Sequence, residues 1–98
     1  MLQTRLIDLS DYEDEDLVFK NIIGSSLSIT TTGSPTVIVN GKDGDLDKEV
    51  PMAVIDMSTY SKSDKIEGEG AFLVSISGMD KIVLTVSGTG KIKVKEME

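Results

Sequence analysis

The sequence predicts an all-β protein, an antiparallel two-sheet β-sandwich that is jelly-roll-like and has seven to eight strands. From Ser26 onward, short segments rich in Val, Ile and Thr alternate apolar with polar residues, which is the period of a pleated strand. Gly, Asn, Asp and Ser separate these segments at intervals of about 8–12 residues, as in sandwiches and jelly rolls. Residues 70–95 contain two such separators and are interpreted as a three-stranded meander.

The first 25 residues show a weaker pattern. Leu2 to Leu9 is predicted to be an edge strand, and Ser10 and Glu13 have the spacing of a capping box, which predicts a single helical turn. The apolar triplet Leu17-Val18-Phe19 is the next predicted strand, because Gly24 and Ser25 follow too soon for a helix.

Turn-forming residues divide the remainder of the chain. Gly33-Ser34-Pro35 is expected to open a strand through Val39, and the pentapeptide at 40–44, Asn-Gly-Lys-Asp-Gly, to close it. Ser77–Asp80 and Ser87–Gly90 are the two predicted turns of the meander, because both contain glycine, which adopts positive φ without strain.

The alternation also predicts which side chains face the core. In the last strand Lys91, Lys93 and Lys95 fall on the opposite, solvent-facing side, and Thr85 does so one strand earlier. The predicted core residues are Leu27, Ile29, Val37, Val39, Met52, Val54, Phe72, Val74, Ile76, Ile82, Leu84, Val86, Ile92 and Val94.

The length of 98 residues predicts a single domain over residues 1–98, with segment 1–25 the least defined part. No apolar stretch approaches the ~20 residues needed to span a bilayer, and the first residues lead into no signal-peptide hydrophobic region. We therefore expect no transmembrane segment, no signal peptide and no membrane partner. Cysteine is absent, so the fold must be held by packing alone.

The formal charge of −7 is uneven, because residues 1–49 hold ten acids and four bases, whereas residues 50–98 hold seven acids and six bases. Nucleic acids are bound mainly through clustered Lys and Arg that neutralise phosphates. This balance predicts that the protein does not bind nucleic acid.

The residue types also predict a non-enzymatic protein with no catalytic residue and no cofactor. The chain has no His and no Cys, the commonest groups for proton exchange and nucleophilic attack near neutral pH. The acids cluster in loops, without the facing pair that glycoside cleavage requires.

Two acidic stretches are candidates for a cation site. Five of the six residues at 11–16 are acids, and a solvated loop is the favoured interpretation because like charges repel. Asp43, Asp45 and Asp47 have the alternate spacing that begins a calcium loop. Lys48 stands where that loop requires glycine and Val54 where it requires a bidentate Glu, so we expect no bound metal there.

Residues 70–94 read GAFLVSISGMDKIVLTVSGTGKIKV. This segment resembles the closing meander of small β-sandwich modules in tailed-phage and prophage structural proteins, with a Gly-aromatic entry, a Ser-Gly end, an Ile-x-Leu-x-Val strand and a Gly-Thr-Gly hairpin. Residues 36–41 and the Asp43-Gly44 pair resemble their middle strand and loop. The resemblance implies a structural role in tail, baseplate, capsid decoration or fibre, and a location in the virion or host cytoplasm; it carries over no site residue.

The first functional hypothesis is therefore a phage structural or assembly module that contacts copies of itself or other virion proteins. A carbohydrate- or ligand-binding sandwich is the first alternative, although only Tyr12 and Tyr60 are available to stack on a sugar. A small prophage-encoded regulator that binds a host protein by strand addition is the second. The separation of acids at Asp11–Asp16 and Asp43–Glu49 from Lys91, Lys93 and Lys95 favours a salt-sensitive head-to-tail homo-oligomer.

Overall fold

The computed structural model describes residues 2–12, 16–46 and 48–98. In these ranges the backbone forms strands and turns and contains no helix. None of the described residues forms a helix that could cross a membrane. The strands are β1 (Thr4–Asp8), β2 (Leu17–Lys20), β3 (Ser26–Asp43), β4 (Lys48–Pro51), β5 (Val54–Asp56), β6 (Lys62–Ser63), β7 (Ile66–Glu67), β8 (Gly70–Ser75) and β9 (Lys81–Met97).

The nine strands form one antiparallel sheet in the order β1-β9-β3-β8-β5-β6, with β2 also beside β9, and β4 and β7 also beside β3. The long strands β3 and β9 lie at its centre and pair continuously from Ser26 opposite Met97 to Lys42 opposite Lys81. The all-β prediction is confirmed. The predicted two sheets of seven to eight strands differ from this arrangement, because β3 and β9 run uninterrupted through both halves and join them by hydrogen bonds.

Both long strands bend near their midpoints. A straight strand of this length would span about 56 Å, whereas the longest dimension of the molecule is 36 Å. At the bend Gly33 lies opposite Gly90, and these two residues and Gly88 have φ values of 83°, 114° and 93°. Their positions in the alternation fall on the inner face, where Pro35 lies opposite Gly88. Three of these four inner positions therefore carry no side chain, which lets the two halves of the sheet fold toward each other.

This bend corrects three predictions. Gly33-Ser34-Pro35 does not open a strand and Ser87–Gly90 is not a hairpin, because both lie inside long strands and pair with each other. The predicted meander over residues 70–95 is also wrong, because β8 and β9 pair on opposite sides of β3. Glycines at positive φ serve bends as well as turns, and the sequence pattern does not distinguish the two.

Other local predictions are confirmed. β1 is an edge strand, β2 forms where the apolar triplet predicted it, and Ser77–Asp80 is a turn in which the Met79 N–H donates to the Ile76 carbonyl at 3.2 Å. Where the helical turn was predicted to begin, the backbone N–H and hydroxyl of Ser10 donate to the Asp8 carboxylate, and the helical turn itself stays a prediction. Glu13, the predicted partner of Ser10, lies outside the described residues.

The inward side chains of both halves pack into one hydrophobic core. Odd-numbered residues face inward along β3 and even-numbered residues along β9, on both sides of the bend. All predicted core residues are buried except Met52, which is half-buried and packs against the core. The prediction missed four buried apolar residues, namely Leu17, Phe19, Ile66 and Val83.

Candidate interaction surfaces

The carboxylate of Asp43 is used within its own turn. It accepts the N–H of Asp45 at 2.9 Å, while the Gly44 N–H donates to the Asp80 carboxylate at 2.8 Å. Asp47 lies outside the described residues. Within residues 2–12, 16–46 and 48–98, no group of three or more acids, His or Cys is placed to hold a metal ion. The carboxylates of Asp43 and Asp80 thus accept N–H groups of the turn itself. Our expectation that no metal binds there stays a prediction.

Of the acidic run at 11–16, the structure describes residues 11, 12 and 16. Asp11 is exposed, and Asp16 accepts a hydrogen bond from the Thr85 hydroxyl at 3.2 Å; residues 13–15 lie outside the described ranges. Tyr12 packs against the core, so its ring is not a free stacking platform. Tyr60 is 76% exposed and lies at a φ of 58° in the turn between β5 and β6.

A shallow pocket of about 260 Å³ lies below this turn and is lined by acids, two serines, Lys65 and Phe72. Its three carboxylates are engaged: Asp56 accepts the Ser58 hydroxyl at 2.8 Å, Glu67 pairs with Lys65 at 3.0 Å, and Glu69 accepts the backbone N–H of Gly33 at 2.9 Å.

These contacts also shift the pKa values of two groups in the pocket. The hydrogen bond from Ser58 lowers the pKa of Asp56 below its ordinary value, and the hydrogen bond to Glu67 raises the pKa of Lys65. A general acid at neutral pH needs a raised carboxyl pKa and a general base a lowered amine pKa. The shifts of Asp56 and Lys65 are both in the opposite direction.

Glu96 is the one fully buried charged residue in the described part of the chain. One carboxylate oxygen accepts the N–H groups of Ile23 at 2.8 Å and Gly24 at 2.5 Å, and the other accepts the N–H of Gln3 at 3.2 Å. Burial raises the pKa of Glu96, but the bonds from Gly24, Ile23 and Gln3 outweigh this effect and lower it below its ordinary value. The carboxylate therefore joins the end of β9 to two other segments.

A basic surface covers the outer face where β1 meets β9. Lys91, Lys93 and Lys95 point outward from β9, opposite Asp8, Leu6 and Thr4 of β1. The side chain of Leu6 is 74% exposed, and none of the three lysines forms an ion pair within the described part of the chain. Leu6 and these three lysines are called the basic patch.

An acidic surface lies at the turn between β3 and β4. Asp43 and Asp45 flank Gly44, Asp80 is bound to this turn, and the next side chain, Leu46, is 70% exposed. Asp43, Asp45, Leu46 and Asp80 are called the acidic tip. The tip lies where β3 ends and β9 begins, since the Asp80 N–H donates to the Lys42 carbonyl at 2.9 Å.

Sequence reasoning identified the lysines of the basic patch and two acids of the tip, Asp43 and Asp45, and missed Asp80, Leu6, Leu46 and Glu96. The inward alternation Ile92, Val94 continues to residue 96, so the signal for a buried Glu was present. Leu6 and Leu46 stand in an edge strand and a turn, where the sequence shows an apolar residue but not the face it occupies.

No protein-family model and no curated protein matches the sequence. The fold is similar to that in the crystal structure of the SPBc2 prophage-derived protein YomS, with a TM-score of 0.66 and 13% identity over 97% of this chain and 91% of that one. It is also similar to part of the PBSX exported protein XepA, with a TM-score of 0.69 and 15% identity over 97% of this chain and 38% of that one. The chain thus shares its whole fold with these proteins.

Proposed function

We propose that this protein is a non-enzymatic phage or prophage structural or assembly module that acts through protein–protein contacts in a homo-oligomer or virion. The observation that carries the proposal is the fold. Both similar structures bear prophage names, and the similarity extends over 97% of this chain in each case.

The surface supports a role in contacts rather than in chemistry. Leu6 and Leu46 are large apolar side chains exposed on different parts of the molecule; lysines of β9 lie beside the first and aspartates of the turn beside the second. Apolar side chains rimmed by polar groups are typical of protein interaction sites. The carboxylates of the pocket are engaged with N–H, hydroxyl and ammonium groups, which favours a non-enzymatic role.

Native mass spectrometry of the purified chain tests the proposal. We expect a closed oligomer of defined subunit number, because soluble homo-oligomers usually have point-group symmetry. A chain that stays strictly monomeric at high concentration would contradict the homo-oligomer. It would favour a regulator whose partner adds a strand beside the β1 edge.

The carbohydrate-binding alternative rests on Tyr60, whose exposed ring could stack on a sugar. A glycan-array signal that is lost in Tyr60→Ala would support it.

A further inference from the structure

The basic patch and the acidic tip are complementary in charge and share one architecture. Each has a single leucine more than two-thirds exposed at its centre, Leu6 at 74% and Leu46 at 70%. Lysines of β9 lie along one side of the first leucine, and aspartates accompany the second. Exposed ion pairs are individually weak, so an apolar contact is needed beside them, and both surfaces supply one.

One copy of the chain does not bring these two surfaces together. The acidic tip lies at the start of β9, beside Lys81, whereas the basic patch lies beyond the bend, at Lys91 to Lys95. Within the described residues the patch lysines have no carboxylate at ion-pair distance. The charges of the patch are therefore available to a second molecule.

Opposite charges also occur near both surfaces. Lys48 lies opposite Asp43 and Lys42 opposite Glu49 on the stem of the acidic turn, and Asp8 lies opposite Lys91 beside the patch. These oppositely charged residues reduce the area over which the two surfaces are complementary in charge. Of the described residues at the end of the turn, Asp43, Asp45 and Leu46, only Asp43 has a base opposite it in the ladder. Lys93 and Lys95 have no acid opposite them.

We propose that the acidic tip of one copy binds the basic patch of the next, with Leu46 packed against Leu6, so that copies join head to tail. The proposal rests on the homo-oligomer proposed above and names its interface. A second copy is the occupant because both halves of the contact are present in the same chain. Since the two surfaces differ, each copy gives one and receives one, and the chain of contacts closes into a ring if the rotation allows.

Two variants that each remove one surface test this contact. The patch variant carries Leu6→Ser, Lys91→Ser, Lys93→Ser and Lys95→Ser. The tip variant carries Asp43→Asn, Asp45→Asn and Leu46→Ser. Asn is chosen at position 43 because its side-chain oxygen can still accept the backbone N–H of residue 45. All of these side chains are at least partly exposed, so thermal melts of both variants should show folded protein.

Sedimentation at low salt then gives the result. Each variant alone should be monomeric, and an equal mixture should form a heterodimer of twice the 10.6 kDa chain mass, because one intact tip meets one intact patch and nothing remains to extend the assembly. If the wild type forms an oligomer that either variant retains, or if the mixture stays monomeric, this interface is wrong although the proposed function stands. A monomeric wild type would contradict both this interface and the proposed homo-oligomer.

Discussion

At the scale of single residues, Glu96 shows how a buried charge is accommodated in this fold. Its carboxylate is removed from water, which is unfavourable unless its oxygens receive hydrogen bonds. The N–H groups of Gln3, Ile23 and Gly24 supply them. These donors belong to the segment before β1 and the loop before β3, so one side chain fixes the N-terminal region against the end of β9.

Glu96→Gln should destabilise the protein. The amide is uncharged and can turn an NH₂ group toward backbone donors, so buried N–H groups lose a strong acceptor. We expect a loss of about 1–3 kcal/mol in the free energy of unfolding, measured by urea denaturation at pH 7. Glu98→Gln is the matched control, since Glu98 is exposed two residues further along; equal urea midpoints for the two variants would refute the role given to Glu96.

The same carboxylate predicts a pH dependence. Because the folded pKa of Glu96 is lowered, its contribution to stability is present above the unfolded pKa of about 4.3 and is lost as the pH falls through the folded value. Asp8 and Asp56, whose pKa values are lowered by hydrogen bonds from Ser10 and Ser58, act in the same direction. Urea unfolding across the acid range should therefore show the wild type losing stability more steeply than Glu96→Gln. If the unfolding free energies of the two proteins changed in parallel with pH, Glu96 would have the same pKa in the folded and unfolded states.

At the scale of elements, the bend in β3 and β9 depends on glycine. A Cβ on Gly90 would overlap the carbonyl oxygen of Thr32 on the facing strand, whereas Gly78, also at positive φ, has open space at that position. The strain of positive φ is thus common to both sites, and steric overlap with the partner strand is specific to the bend.

Gly90→Ala and Gly78→Ala separate these two effects. We expect Gly78→Ala to cost about 1–2 kcal/mol, from the left-handed backbone alone, and Gly90→Ala to cost about 3 kcal/mol or more. Thermal melts of the two variants measure the difference. Equal reductions in melting temperature would show that the bend tolerates a side chain.

The register of β8 gives a second prediction for an element. Val74 faces the core and is fully buried, and its neighbour Ser75 faces solvent. Val74→Asp should unfold the domain, because burial of an unpaired carboxylate costs several kcal/mol against a total stability of about 5–15 kcal/mol. Ser75→Asp should change stability by less than about 0.5 kcal/mol. Circular dichroism melts compare them, and similar behaviour would mean that the register is shifted by one residue.

At the scale of the whole molecule, alternation predicted the core and could not predict the path of the chain. Ile29 and Val37 are both inward because odd parity continues through the bend, so the core prediction held although a turn was wrongly placed between them. Glycines mark hairpins and bends alike, and only pairing partners distinguish them. The patch lysines were predicted from their spacing, whereas the exposure of Leu6 and Leu46 depends on which strand is an edge and which turn projects.

We propose that the protein acts through contacts between copies in which charge takes part. Salt screens exposed charges, with a Debye length of about 30 Å at 0.01 M and 3 Å at 1 M. An assembly held by the basic patch should therefore weaken as salt is raised.

Sedimentation velocity at low and high salt tests this claim most directly, on the wild type and on a variant with Lys91→Glu, Lys93→Glu and Lys95→Glu. We expect a wild-type oligomer at low salt that dissociates in part at high salt, and a folded variant that is monomeric at both salt concentrations. A wild type that remains monomeric at high concentration in low salt would contradict the claim.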